Sequence, residues 1–296
     1  MRCLHPRPSF HGLFFPCGKC PACLEQRKEL LAERIFFESR VSKCSYFLTL
    51  TYDEENLPTY GESHLPCFDK REVQAYLRAL RDRVRRERIS IRYFLTCEYG
   101  DIGFRSHYHA ILYFSEFLSL QQVWILCNEV WERGIVYLSS VGAGCCRYVS
   151  KYCLKDDPTR SFELPSSDPR KPFRLFSRRP GIGATPEALR YWIDRFSLTE
   201  SYYDFGSTLS SGNGEAFIPK IPRVVRNKFD PEKQRRISEV GWSRFYGLQD
   251  ELVNSFNDPG LNFTNMDTNE YTPIYDKDLE ILQKTRKLRK LKKHCL

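Results

Sequence analysis

The chain has 296 residues, of which 41% are hydrophobic and 28% charged, a composition that is normal for a soluble globular protein with a buried core. Its length permits one large domain or a core domain with appendages. No apolar run approaches the ~20 residues that a membrane helix needs, and the N-terminal segment lacks the long apolar stretch of a signal peptide. We therefore expect a cytoplasmic protein without a membrane partner.

The net charge of +9 is unevenly distributed along the chain. Seven basic residues and no acidic residue lie between Lys284 and Lys293, so the rest of the chain carries only +2. A basic tail of this kind favours a polyanion, although a solvated terminal helix would have the same charge pattern. Lys287 and Lys290 in this tail are our candidate DNA contacts.

The first predicted elements are a helix over 22–42 and a strand over 46–52, which is rich in aromatic and β-branched residues. The loop that follows contains three helix and strand breakers, Pro58, Gly61 and Pro66. Asp69 could then cap a helix over 70–88, whose apolar stripe is formed by Val73, Leu77, Leu80 and Val84.

The next elements are strands over 91–98 and 107–114, a helix over 119–132, a strand over 135–138 and a helix over about 145–155. The order β-α-β-β-α-β predicts an α+β fold with a ferredoxin-like split βαβ core, in which helices lie on one face of an antiparallel sheet. We expect a Cys-rich N-terminal helical segment over 1–43, the core over 44–156, and a C-terminal helical extension with the basic tail over 157–296.

Two histidines open the third strand of this predicted core. Alternate strand residues face the same side, so His107 and His109 should project together and could share a metal ion. Glu98 ends the preceding strand, and the turn between the strands would bring it beside the pair. One carboxylate with two imidazoles leaves positions on a divalent cation open for phosphate oxygens.

Two tyrosines lie four residues apart in the late helix, so Tyr148 and Tyr152 should share one helical face. A phenol with a pKa near 10 is a poor nucleophile at neutral pH, and a metal on the scissile phosphate would compensate for this. Lys151 or Lys155 could add positive charge or help to deprotonate a tyrosine. Alone, the spacing is equally consistent with tyrosines that pack on the sheet.

The N-terminal cysteines form the one cluster among the twelve in the chain. Cys3, Cys17, Cys20 and Cys23 could supply four thiolates to a structural zinc, with His5 and His11 as spare ligands. Iron–sulfur ligation and unliganded thiols stay open, because the spacing lacks the two separated pairs of a zinc ribbon. A second basic feature, the turn over 177–183, offers Arg178 and Arg179 for phosphate contact, although arginines in turns are often only solvated.

Together these motifs resemble the HUH endonuclease superfamily, and within it the replication initiation proteins of microvirus (gokushovirus-like) phages. The segments FLTLTYDEENLP, EYG…SHYHAILYF and YVSKYCLK are similar to the three motifs of that family, in the same order. CLHP…PCGKCPACLEQR and FSRRPGIG are also similar to that phage group, and the resemblance runs from residue 3 to about 183.

The resemblance implies a rolling-circle replication initiator, a site-specific single-stranded DNA endonuclease and strand transferase that forms a 5′-phosphotyrosine at a phage origin. It implies that His107, His109 and Glu98 bind Mg²⁺ or Mn²⁺ and that Tyr148 and Tyr152 are the nucleophiles. The implied partners are single-stranded or supercoiled origin DNA and the replication helicase and polymerase of a bacterial host.

Two alternatives remain at this stage. The same residues would serve a plasmid or conjugative nicking enzyme. A zinc-containing nucleic-acid-binding protein without catalytic activity would instead depend on the cysteine cluster and the basic tail, and its two neighbouring histidines would be incidental.

Overall fold

The computed structural model describes residues 7–8, 14–62, 64–100, 104–152, 165, 167–197, 221–235 and 237. The chain divides into two compact units, of which one comprises Met1–Arg27, Ser210–Phe217 and Asp230–Leu296. The other comprises Lys28–Leu209 and Ile218–Phe229 and contains the main sheet. This division does not decide the predicted segment boundaries at residues 43 and 156, which stay predictions.

The described strands are β1 (Arg7–Pro8), β2 (Phe14–Phe15), β3 (Cys44–Tyr52), β4 (Thr59–Tyr60), β5 (Leu65–Pro66), β6 (Ile91–Tyr99), β7 (Ser106–Phe114), β8 (Gly134–Ser140) and β9 (Arg174–Phe176). The helices are α1 (Pro21–Val41), α2 (Lys70–Arg85), α3 (Leu120–Val130), α4 (Ala143–Tyr152), α5 (Pro186–Ser197) and α6 (Arg223–Arg226). Among the described elements, none of the helices combines the length and the apolar character needed to cross a membrane.

The main sheet has five strands in the order β8-β3-β7-β6-β9, and every neighbouring pair is antiparallel. Because β3 and β6 are both antiparallel to β7, they run parallel to each other with β7 between them, and α2 connects them. In the same way β7 and β8 run parallel on either side of β3, and α3 connects them. Two split βαβ units therefore interleave, and the predicted antiparallel α+β architecture is confirmed.

One face of the sheet is covered by α2 and α3. Asp69 caps α2 by accepting a hydrogen bond from the Glu72 amide at 2.9 Å, as the sequence predicted. The predicted apolar stripe of α2 is buried, and in α3 Val123 and Cys127 are buried. Both helices pack on the inward row of β3 and β7 residues that includes Leu50 and Leu112.

The opposite face is covered by α1 and α4. Ile35 of α1 and Cys146 and Val149 of α4 pack with Phe94 and Ile111 of the sheet. The expectation that helices lie on one face only is therefore wrong for the complete sheet. The reason is visible in β7, where eight of nine residues are buried, because a strand that is apolar on both faces needs cover on both.

Several elements were absent from the predicted series. The short pair β4 and β5 forms a hairpin within the predicted loop, and β9 adds a fifth strand beside β6. The helix α5 lies in a region where the predicted pattern had weakened. Strands of two or three residues carry too little periodicity to be recognised, because their pairing depends on partners far away in the sequence.

Candidate active site

The two histidines of β7 lie on the sheet face that α4 covers. His109 stands opposite Thr49 of β3 and Thr96 of β6, and His107 stands opposite Thr51 and Glu98. Directly paired residues project to the same side of a sheet, so these six side chains share one face. The predicted common projection of the two histidines is confirmed.

His109 is bonded through both ring nitrogens. Its Nε2 lies 2.7 Å from Oε1 of Glu98, and its Nδ1 lies 2.9 Å from the Thr49 hydroxyl. The side chains of His109 and Glu98 are only 7% and 14% exposed, so little water screens this pair. The predicted approach of Glu98 to the histidines is thus present in the structure, and it is made to His109.

His107 is held by backbone rather than by a side chain. Its Nδ1 lies 2.8 Å from the Arg105 carbonyl oxygen, which can only accept, so Nδ1 carries the hydrogen and Nε2 keeps a lone pair for a ligand. Burial is the largest cause that lowers the pKa of His107 and favours the neutral ring. Gly100 leaves room for that ring, because a Cβ there would lie 2.8 Å from Cε1 of His107.

The donor set of His107, His109 and Glu98 suits a divalent cation, but the three side chains are not closed around one point. Among the described residues, three ligand atoms come within 4.8 Å of one another only in the cysteine cluster. The carboxylate and imidazole that already touch, together with the Nε2 that His107 leaves available, fit a metal in chemistry. Binding would require His107 to turn toward the other two.

Tyr148 of α4 reaches this site. Its hydroxyl donates a hydrogen bond to Oε1 of Glu98 at 3.3 Å, the same oxygen that contacts His109. The ring lies edge-on to His109 with centroids 5.1 Å apart, and Phe47 contacts both rings at 5.7 and 5.8 Å. Tyr148 is 38% exposed, so a substrate can approach its hydroxyl from solvent.

The remaining predicted members of the tyrosine motif are placed less fully. Tyr152 ends α4, but its side chain lies outside the described residues. Lys151 is exposed on the same helix. The helix is fixed to the sheet by its buried residues Cys146 and Val149, which explains why Tyr148 is held over the face that carries the histidines.

The N-terminal cysteines form a second candidate metal site. The sulfur atoms of Cys17, Cys20 and Cys23 all lie within 4.8 Å of one another, and the last two side chains are buried. The amides of Lys19 and Cys20 point at Cys17 Sγ from 3.4 and 3.2 Å, which favours a thiolate there. This cluster could hold a metal ion such as zinc; Cys3, the predicted fourth ligand, lies outside the described residues.

The loop over 177–183 is fastened to the second sheet face. Ile182 is buried, and Gly183 donates its amide to Oε2 of Glu38 at 2.7 Å. Arg178 and Arg179, the predicted phosphate contacts, are exposed at the turn. Lys287 and Lys290 lie outside the described residues, so all four DNA contacts stay predictions.

Two side chains of the site were missed at the sequence level as partners of the histidine. Thr49 was expected on one strand face with Thr51, but nothing in the strand pattern identified His109 as its partner. Phe47 belongs to the same alternation, two residues before Thr49. The period-two pattern locates the shared face, whereas the register between β3 and β7 selects the contact.

Comparisons with known proteins agree with the motif order. Residues 45–157 match a family of replication-associated proteins of the ORF2 type. The replication-associated protein VP4 of Bdellovibrio phage phiMH2K is 24% identical over 240 residues, which cover 74% of this chain and 69% of that protein. ORF2 of Spiroplasma virus 4, also a replication-associated protein, is 24% identical over 232 residues, with coverages of 74% and 68%.

A third relative, the replication-associated protein ORF4 of Chlamydia phage 1, is 30% identical over 156 residues, which cover 47% of this chain and 38% of that protein. No solved structure matches the chain. The expected resemblance to replication proteins of small phages is confirmed by these relatives.

Proposed function

Because residues 45–157 match the ORF2-type family of replication-associated proteins, we propose that this protein starts rolling-circle replication of phage DNA by nicking and rejoining a single strand. In this proposal it is an HUH endonuclease with a ferredoxin-like core, and it forms a 5′-phosphotyrosine at the phage origin. It works in the bacterial host cytoplasm with the host helicase and polymerase.

One observation supports this function above the others. The carboxylate of Glu98 contacts the imidazole of His109 at 2.7 Å and the hydroxyl of Tyr148 at 3.3 Å, although the three residues come from two strands and a helix. A nucleophile, a metal-ligand pair and an opening to solvent therefore meet at one place.

In the proposed mechanism His107, His109 and Glu98 hold Mg²⁺ or Mn²⁺. The bound cation supplies positive charge against the non-bridging oxygens of the scissile phosphate. Tyr148 presents its oxygen to phosphorus; a P–O bond to the phenol forms as the bond to the 3′ oxygen breaks, which releases a 3′-OH end. The hydrogen bond to Glu98 orients the phenol, and Lys151 adds positive charge on the same helix.

Tyr152 lies one helical turn from Tyr148 and is proposed as the second nucleophile. Two phenols permit two successive transesterifications, in which one holds the 5′ end while the other cuts the next copy. No bond energy is lost in either exchange, because one phosphodiester replaces another.

A second candidate, a metal-stabilised nucleic-acid-binding protein without catalytic activity, is favoured by the cluster of Cys17, Cys20 and Cys23. The cluster is equally compatible with an enzyme that carries a separate structural site. A plasmid or conjugative nicking enzyme is less favoured, because the relatives found are phage proteins.

The test is a covalent adduct on single-stranded circular DNA with Mn²⁺, resolved on a denaturing gel. We expect an adduct with the wild type and none when Tyr148→Phe and Tyr152→Phe are combined. His107→Ala and His109→Ala should each abolish cleavage and largely spare DNA binding. Tyr60→Phe is the matched control, since Tyr60 is an exposed tyrosine of the separate β4–β5 hairpin.

The result that would overturn the enzyme is DNA binding without any adduct while Mn²⁺ is retained, which would favour the non-catalytic candidate. An adduct that persists in the double tyrosine variant would remove the nucleophiles assigned here.

A further inference from the structure

A single row of residues crosses all five strands of the sheet through the candidate active site. The strand registers pair Tyr137 with Thr49, Thr49 with His109, His109 with Thr96, and Thr96 with Arg174. Residues paired in this way project to the same side, so the row joins both edges of the sheet across the face of the histidines.

The β8 end of this row is open to solvent. Tyr137 is 60% exposed, and Ile135, two residues earlier on the same face, is 68% exposed. Their neighbours Val136 and Leu138 are only 7% and 8% exposed, because they project into the core on the opposite face. The exposed pair is therefore not an accident of fraying, since β8 is anchored by alternate residues along the same segment.

The other end of the row carries a cation. Arg174 of β9 is exposed beside Thr96, two strands from His109, as Tyr137 is on the other side. Neighbouring strands lie about 4.8 Å apart, so each end of the row is roughly 10 Å from His109 along the sheet. A polymer that passes over the histidines thus meets an aromatic ring on one side and a guanidinium on the other.

From this row we propose that Tyr137, with Ile135 beside it, forms a stacking platform for a base of the single DNA strand whose phosphate lies at His109. The inference rests on the proposed function and extends it by naming where the strand leaves the site. Proteins that bind single strands combine aromatic faces for bases with positive charge for the backbone, and the row offers one of each.

The arrangement favours an unpaired strand over a duplex. The faces of bases are hidden in a duplex, whereas an exposed tyrosine ring can only stack on a base that is free. Stacking is also tolerant of sequence, because every base has a π-face. The platform would therefore hold the strand without reading the origin sequence.

The experiment measures binding of a fluorescently labelled oligothymidylate by anisotropy. All proteins carry Tyr148→Phe and Tyr152→Phe, so that cleavage cannot contribute. We expect Tyr137→Ala to weaken binding by about 5- to 100-fold, the effect that stacking of one base has. Tyr137→Phe keeps the ring and should bind like its parent, as should the control Phe117→Ala, which removes a 73% exposed ring outside the row.

Two further measurements make the outcome decisive. The slope of affinity against salt should not change in Tyr137→Ala, because a phenol neutralises no phosphate. With iodouracil in the oligonucleotide, photocrosslinking should attach DNA to Tyr137. Melting temperatures of all variants confirm that each is folded.

Undiminished affinity of Tyr137→Ala, or an equal loss in Tyr137→Phe, would overturn the platform. Its failure is distinct from failure of the proposed function, which is measured by the tyrosine adduct in the chain without these phenylalanine substitutions. Weakened binding in Tyr137→Ala when the otherwise wild-type chain forms no adduct would support the platform and reject the nuclease.

Discussion

At the scale of single residues, the site depends on how His109 is oriented. The ring is held between the Thr49 hydroxyl at 2.9 Å and the Glu98 carboxylate at 2.7 Å. A histidine that binds metal with one nitrogen usually hydrogen-bonds through the other, which fixes its tautomer and ring angle. Thr49 is suited to that positioning role, because it pairs directly with His109 across the sheet.

We predict that Thr49→Val, which keeps the β-branched shape and loses the hydroxyl, lowers cleavage about 10- to 100-fold at limiting Mn²⁺. The loss should shrink as Mn²⁺ is raised, and Thr49→Ser should recover part of the activity. A Mn²⁺ titration of the rate of adduct formation measures this. A Val variant with the wild-type Mn²⁺ dependence would show that Thr49 does not position the ring.

At the scale of elements, the loop over 177–183 is a structural clasp as well as a basic turn. Gly183 has φ of +67°, its amide bonds Glu38, and its carbonyl accepts from Trp192 Nε1 at 2.7 Å. Glu38 is buried and also forms an ion pair with Arg92 of β6. The loop thereby ties α1, β6 and α5 together on the second face of the sheet.

Gly183→Ala should destabilise the fold by about 2 kcal/mol or more, because an alanine is strained at positive φ. In addition, its Cβ would lie 2.5 Å from the Arg34 carbonyl oxygen. Gly142→Ala is the control, since a Cβ there meets nothing within 4 Å. Urea unfolding curves compare the two, and equal midpoints would contradict the clasp.

At the scale of the whole molecule, the two candidate metal sites belong to different compact units. The cysteine cluster lies in the unit that contains Met1–Arg27, and the histidine site lies in the unit that contains the five-stranded sheet. The donors also differ, with thiolates in one and imidazoles and a carboxylate in the other. Thiolates favour zinc, whereas the mixed set suits a more exchangeable divalent cation.

Metal analysis of the purified full-length chain should find about one zinc per chain, held by the cysteine cluster. Cys20→Ser should lose it, because a buried hydroxyl is a poor zinc ligand. Cys145→Ser in α4 should retain it, since Cys145 belongs to no cluster of three ligands among the described residues. Mass spectrometry of the metal content decides this; wild-type protein free of zinc would rule out a stably occupied site.

From the sequence alone, alternation along β7 determined that His107 and His109 share a face, and spacing along α4 related Tyr148 to Tyr152. The order of core elements was also predictable, because periods of 2 and 3.6 are written into a few consecutive residues. The tertiary structure decided which partners meet: Tyr148 with Glu98, Thr49 with His109, and β9 with β6. Such contacts join residues as distant in the chain as Phe94 and Phe176. They follow from strand register and helix packing, which no local pattern contains.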